Sequence, residues 1–93
     1  MIVYQSEYYT WIESRGVGSR DVVASSPDSY VSYLNSVSEL IHQDISPRIL
    51  SSEHDLERIA SRLVGQRSPK TINNYKSAMR QYVAMVQAGV VSK

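Results

Sequence analysis

The sequence predicts an all-α fold, a small bundle of four helices, or of five if residues 19–25 form a short connector helix. Apolar residues recur at helical spacing nearly throughout the chain, and no alternating strand pattern persists. Capping residues and helix-stopping glycines or prolines divide this pattern into four segments. A length of 93 residues is enough for one small domain with one core.

The first helix is predicted over residues 4–15. Its apolar stripe follows the spacing i, i+4, i+7, i+8 through Tyr4, Tyr8, Trp11 and Ile12. Gly16 and Gly18 end it. Residues 19–25 are expected to be a connector that turns two valines inward.

The second helix has a clear start, since Ser26 can cap it and Pro27 suits the first helical position. It ends before Pro47, because the residue ahead of a proline disfavours helical geometry. Its predicted stripe is Tyr30, Tyr33, Leu34, Val37, Leu40 and Ile41.

The third helix opens with Ser52 and Asp55, which resemble a capping box with Asp in place of Glu. Gly65 closes it. Its predicted apolar stripe is Leu56, Ile59, Ala60, Leu63 and Val64.

The fourth helix begins at Ser68 and Pro69, runs to about Ala88, and stops at Gly89. Its inner stripe is Ile72, Tyr75, Met79, Tyr82, Val83 and Val86. At about 100° per residue, the opposite face is Lys70, Asn73, Asn74, Ser77, Arg80 and Gln81, with Lys76 on its flank.

The composition argues against secretion and against a membrane span. There are no cysteines, which fits a reducing compartment, and no apolar run approaches the roughly 20 residues of a spanning helix. The N-terminal residues are acidic and aromatic, unlike a signal peptide. We therefore expect a soluble, cytoplasmic protein.

Catalytic and metal-binding patterns are absent from the sequence. His42 and His54 have no second ligand at a metal-like spacing, and no glycine-rich loop precedes a helix. Glu53, Asp55 and Glu57 cluster at a helix start, where they favour the helix dipole. We expect no enzymatic activity, cofactor, metal or small-molecule substrate.

The tyrosines are interpreted as core residues for the most part. There are seven, with no phenylalanine, and Tyr30, Tyr33, Tyr75 and Tyr82 lie on the inner stripes of the second and fourth helices. Tyr8 and Tyr9 are adjacent and cannot both point inward, so one of them is expected at the surface.

Charge is distributed unevenly although the net charge is only +1. Residues 1–57 hold all nine acids and three bases, and residues 58–93 hold seven bases and no acid. Such asymmetry hints at a polyanionic partner for the basic part.

The outer face of the fourth helix has the chemistry of a DNA-reading surface. Arg and Lys donate to guanine edges and phosphates, and Asn pairs with adenine. We predict base contacts from Lys70, Asn73, Asn74, Ser77 and Arg80. We predict phosphate contacts from Arg62, Arg67 and Lys76, with further phosphate binding at the N-terminus of the helix. The alternative is that this face only keeps the bundle soluble.

A family resemblance points the same way. Ser68, Thr71, Tyr75, Ala78 and Met79 match the pattern S-x-x-T-x-x-x-Y-x-x-A-hydrophobic. That pattern resembles a helix of the core-binding, SAM-like N-terminal domain of phage-type tyrosine recombinases, and residues 26–41 resemble the preceding helix. The resemblance implies a four-helix DNA-clamping domain with no active site. The recombinase catalytic domain has no counterpart here.

These observations predict a single, non-enzymatic, double-stranded DNA-binding domain over residues 1–93. We expect it to be the N-terminal piece of a longer phage or mobile-element protein, such as a replication initiator, a site-directed nuclease or an integrase. A homodimer would lengthen the recognised site. The alternative is a helical interaction or dimerisation module without DNA binding, in which the acidic and basic parts of different subunits pair and Trp11 and surface tyrosines act as anchors.

Overall fold

The chain folds into a bundle of four helices that correspond to the predicted segments, but the second helix ends at Ile41, well before Pro47. The computed structural model describes residues 1–15 and 27–92, and the helices in these ranges are α1 (Gln5–Arg15), α2 (Pro27–Ile41), α3 (Glu53–Leu63) and α4 (Pro69–Gln87). The only β pairing among the described residues is two isolated bridges. The all-α prediction is confirmed. The predicted stops at Gly16 and Gly18, the cap at Ser26 and the connector 19–25 lie outside the described residues.

The longest helix, α4, is the centre of the bundle. It packs against α1, α2 and α3, whereas α1 contacts α2 and α4 but not α3. Eight of its side chains are buried: Ile72, Tyr75, Ala78, Met79, Tyr82, Val83, Met85 and Val86. This set contains the whole predicted inner stripe, so the orientation of α4 is confirmed.

Two residues that the sequence places on apolar stripes lie at the surface instead. Tyr4 precedes α1, has a φ of +64°, and is 37% exposed. Val64 is 72% exposed because α3 ends at Leu63, and the extended ψ of 129° at Val64 turns its side chain away from the core. Both predictions are wrong for the same reason: helical spacing holds only within the helix, and each residue lies one position beyond an end.

The predicted serine caps are formed at α3 and α4. Ser52 Oγ accepts a hydrogen bond from the Asp55 N–H at 3.1 Å, and Ser68 Oγ accepts one from the Thr71 N–H at 3.2 Å. The Asp55 carboxylate accepts from the Ser51 N–H rather than from that of Ser52, so the capping box is shifted by one residue. Desolvation acts to raise the pKa of Asp55, but hydrogen bonds from Ser51 and Arg58 outweigh it and lower this pKa.

Positive φ angles end three of the helices. Val64 and Gly65 form the centre of a type II turn, with φ of +87° at Gly65 and a hydrogen bond from the Gln66 N–H to the Leu63 carbonyl. Gly89, at φ +82°, closes α4 in a Schellman arrangement. His42 closes α2 in the same way, at φ +58°, a position where glycine is the usual residue.

The segment between α2 and α3 contributes to the core, which the sequence pattern did not indicate. Ile45 and Leu50 are fully buried. Ile45 also forms an isolated bridge with Ile2, and its N–H and carbonyl bond the backbone of residues 1 and 3. Residues 1–3 and the segment between α2 and α3, which are not helical, thereby pair with each other at one side of the bundle.

Of the tyrosines predicted on the inner stripes of α2 and α4, Tyr30, Tyr75 and Tyr82 are buried and Tyr33 is half-buried. Tyr8 and Tyr82 are both buried, and their ring centroids lie 5.6 Å apart. Burial raises the pKa of both phenols. Tyr9, the neighbour of Tyr8, is half-exposed, so the predicted division between these two adjacent residues is confirmed.

Candidate nucleic-acid interface

The outward face of α4 is polar and free of carboxylates within the helix itself. Lys70, Asn73 and Arg80 are exposed, and Asn74 and Ser77 are half-buried. The eight buried side chains on the opposite face fix the rotation of α4, so these five residues share one side of the helix. The structure thus brings together the residues for which base contacts are predicted.

Carboxylates from α3 reach the edge of this face. Lys76 Nζ lies 3.3 Å from Glu57 Oε2, and Arg80 Nη2 lies 3.6 Å from Glu53 Oε1. The Lys76 side chain is 27% exposed, consistent with its predicted flank position, and the Arg80 side chain is 52% exposed. The cationic face is therefore partly neutralised by the neighbouring helix.

The spacing of the acids explains these ion pairs. Glu53 and Glu57 are four residues apart on α3, so they project from the same side of that helix. Lys76 and Arg80 have the same spacing on α4, and the two helices pack against each other. The matching i, i+4 pairs were visible in the sequence, but which faces of α3 and α4 meet became clear only from the packing.

The remaining predicted phosphate contacts have partners within the chain. Arg62 Nη2 donates to the Ile41 carbonyl at 3.2 Å, where it caps the C-terminus of α2. Arg67 Nη1 donates to the carbonyl of its neighbour Gln66 at 2.7 Å. Both side chains belong to exposed residues and neither pairs with a carboxylate among the described residues. Arg62 consequently has a structural role that its position in the sequence did not suggest.

Two polar side chains on α4 form hydrogen bonds, one within the helix and one to α1. Ser77 Oγ donates to the Asn73 carbonyl at 3.2 Å, one turn earlier. Gln81 is half-buried, and its Oε1 accepts a hydrogen bond from Trp11 Nε1 at 3.2 Å. Gln81 has the same intermediate burial as Ser77, one turn earlier on the predicted outer face, and its bond to Trp11 shows that α1 reaches the edge of that face.

The N-terminus of α4 is only partly open to an anion. The N–H of Thr71 is taken by the Ser68 cap. Beside it, a groove of about 550 Å³ runs between α3 and α4. Its lining includes the apolar side chains of Ala60, Val64 and Ile72, the cations Arg67 and Lys76, and Glu57, which pairs with Lys76. Arg67 is the cation of this lining that has no carboxylate partner among the described residues.

The described residues contain neither a metal-binding cluster nor a helix suited to a membrane. Nowhere in residues 1–15 and 27–92 do three His, Cys, Asp or Glu residues group so as to hold a metal ion. The helices of this same part are too short or too polar to cross a bilayer.

Comparison with known proteins gives no match. No protein-family model, no curated protein and no solved structure matches this chain.

Proposed function

We propose that this chain binds double-stranded DNA with the exposed face of α4 and catalyses no reaction. The observation that carries the proposal is the fixed outward presentation of Lys70, Asn73 and Arg80. These side chains include the donors that recognise phosphates and purine edges. Asn74 and Ser77 lie beside them and extend the contact, and Arg67 adds a cation at the start of the helix.

In this proposal the chain is the DNA-binding part of a cytoplasmic phage or mobile-element protein. Its role would be replication initiation, site-directed cleavage or recombination, and it would act as a dimer on a two-part site. The resemblance of residues 26–41 and of the fourth-helix pattern at Ser68, Thr71, Tyr75, Ala78 and Met79 to core-binding domains supports this assignment.

The carboxylates of α3 set a condition on DNA binding. Arg80 and Lys76 must exchange Glu53 and Glu57 for phosphate oxygens. Surface ion pairs stabilise a protein by only about 0–1 kcal/mol, and both glutamates are more than half exposed, so the exchange costs little. The freed carboxylates would still repel nearby phosphates. We therefore expect both glutamates to weaken DNA binding.

The experiment follows the fluorescence anisotropy of a labelled random duplex during titration with the wild-type protein over a salt series. If four to six phosphates are contacted, the logarithm of the affinity should fall with the logarithm of salt concentration at a slope of about −4 to −5. Glu53→Gln and Glu57→Gln should bind more tightly than wild type. Glu13→Gln is the control, since it removes the same charge from α1, away from α4's outer face.

Different results would contradict different parts of the proposal, namely DNA as the partner and α4 as the binding surface. Absence of binding at low salt, or a slope near zero, rejects DNA as the partner. Binding that Glu13→Gln strengthens as much as Glu53→Gln does would reject the α4 face as its location. The alternative function, a protein-interaction module, predicts no DNA binding by any of these variants.

A further inference from the structure

An exposed valine and an acidic cleft lie at opposite ends of α4. Val64 is 72% exposed in the type II turn before the helix, and Val90 is 50% exposed just after it. The 19-residue helix between them spans about 28 Å. Exposed apolar side chains often mark protein–protein contacts, so these two separated sites could be the two complementary surfaces of one contact between molecules.

The first half, the α3–α4 turn (residues 64–67), is rigid and basic. The Gln66 and Arg67 N–H groups both donate to the Leu63 carbonyl, at 2.9 and 3.3 Å. An isolated bridge joins Val64 to Arg67, so an aliphatic and a cationic side chain leave the same short turn. No carboxylate in the described residues pairs with Arg67.

The second half, the α1 cleft, is apolar and acidic. This cleft of about 530 Å³ is lined by Ser6, Glu7, Thr10, Trp11, Ser14 and Val90. Glu7 is the single charged residue in this lining. The hydrogen bond from Trp11 Nε1 to Gln81 fixes the edge of the indole ring. An aromatic wall, an aliphatic wall and a carboxylate can receive an aliphatic side chain beside a guanidinium group.

We propose that the α3–α4 turn of one molecule docks into the α1 cleft of a second copy of this chain. Val64 would pack between Trp11 and Val90, and Arg67 would pair with Glu7. The turn and the cleft of one molecule cannot meet, because α1 does not contact α3 and the two sites flank α4. The contact uses different surfaces on the two copies, so repetition gives a ring or an open chain.

This inference does not rest on DNA binding. Arg67 belongs to both proposed surfaces, whereas Val64 and Glu7 belong only to this one. The test therefore changes Val64 and Glu7 and is done without DNA. Val64→Asp places a carboxylate against an acidic, apolar cleft, and Glu7→Arg places two cations together. Each should weaken association by roughly tenfold or more.

The experiment is sedimentation equilibrium on the wild type, the two variants and their equimolar mixture. The wild-type average mass should rise with concentration up to about 1 mM, the range of weak contacts. Each variant alone should stay monomeric. In the mixture, the intact turn of Glu7→Arg meets the intact cleft of Val64→Asp, so the two variants should associate with each other.

Glu13→Arg is the matched control, since it makes the same charge change on α1 but does not line the cleft, and it should associate as wild type does. Circular dichroism melting checks that every variant is folded. The proposal is overturned if the wild type is monomeric throughout, if either variant associates like wild type, or if the mixture contains only monomers.

Discussion

Tyr82 links three parts of the molecule through one side chain. Its ring is buried against Tyr8, with centroids 5.6 Å apart, and its hydroxyl donates to the Val3 carbonyl at 2.7 Å. Tyr8 in turn donates to the Ala78 carbonyl at 2.8 Å. The chain has no phenylalanine, and these contacts show why two buried phenols are tolerated: each hydroxyl has a backbone acceptor.

Two substitutions at Tyr82 separate packing from hydrogen bonding. Tyr82→Ala should lower the free energy of unfolding by about 3–5 kcal/mol, because it leaves a cavity. Tyr82→Phe should lower it by about 1 kcal/mol, because only the bond to Val3 is lost. Urea unfolding measures both, and Tyr9→Ala, at a half-exposed position, should change stability far less. An unchanged midpoint for Tyr82→Ala would mean that the inner and outer faces of α4 are reversed.

At the scale of the element, the sequence predicts what lies inside a helix better than what lies at its ends. The inner stripe of α4 is buried as predicted, because one spacing rule governs all its residues. Val64 is hydrophobic but exposed, because the extended ψ angle at this residue turns its side chain away from the core. The pairing of Glu53 with Arg80 depends on which sides of α3 and α4 meet, and no pattern within either helix contains that information.

The helix ends can be tested through their positive φ angles. Gly65→Ala should lower the free energy of unfolding by about 1–2 kcal/mol, since a Cβ disfavours the left-handed region. No atom lies within 4 Å of the position that this Cβ would take, so the effect comes from the backbone alone. His42→Gly should act in the opposite direction, because His42 already has a φ of +58°. Urea unfolding of both variants measures these two opposite changes in stability, and equal effects on stability would contradict the prediction.

At the scale of the whole molecule, helix packing changes the charge distribution that the sequence alone shows. The sequence separates an acidic part from a basic part, yet the fold brings Glu53 and Glu57 beside α4. The two ends of α4 carry opposite charges, since Arg67 lies at one end and Glu7 lies near the other. DNA binding would therefore use the cationic outer face of α4, whereas head-to-tail association would use the opposite charges near its two ends.

The last prediction concerns Arg80 and Lys76, which are one turn apart and each pair with a glutamate of α3. Arg80 lies on the exposed face with Asn73, where a planar guanidinium can grip a guanine edge in two places. Lys76 lies on the flank, where a phosphate would stand. Arg80→Ala should cost about 1–3 kcal/mol on a preferred duplex, selected from a random pool, and much less on random DNA.

Lys76→Ala should instead weaken binding to both duplexes by a similar factor and reduce the salt slope by about one. Anisotropy titrations of both variants on both duplexes over a salt series make the comparison. Loss of either ion pair leaves a glutamate whose side chain is more than half exposed, 61% for Glu53 and 54% for Glu57, so neither variant should unfold. If Arg80→Ala weakens preferred and random DNA equally, α4 holds the DNA backbone without reading bases, and base recognition belongs to another surface.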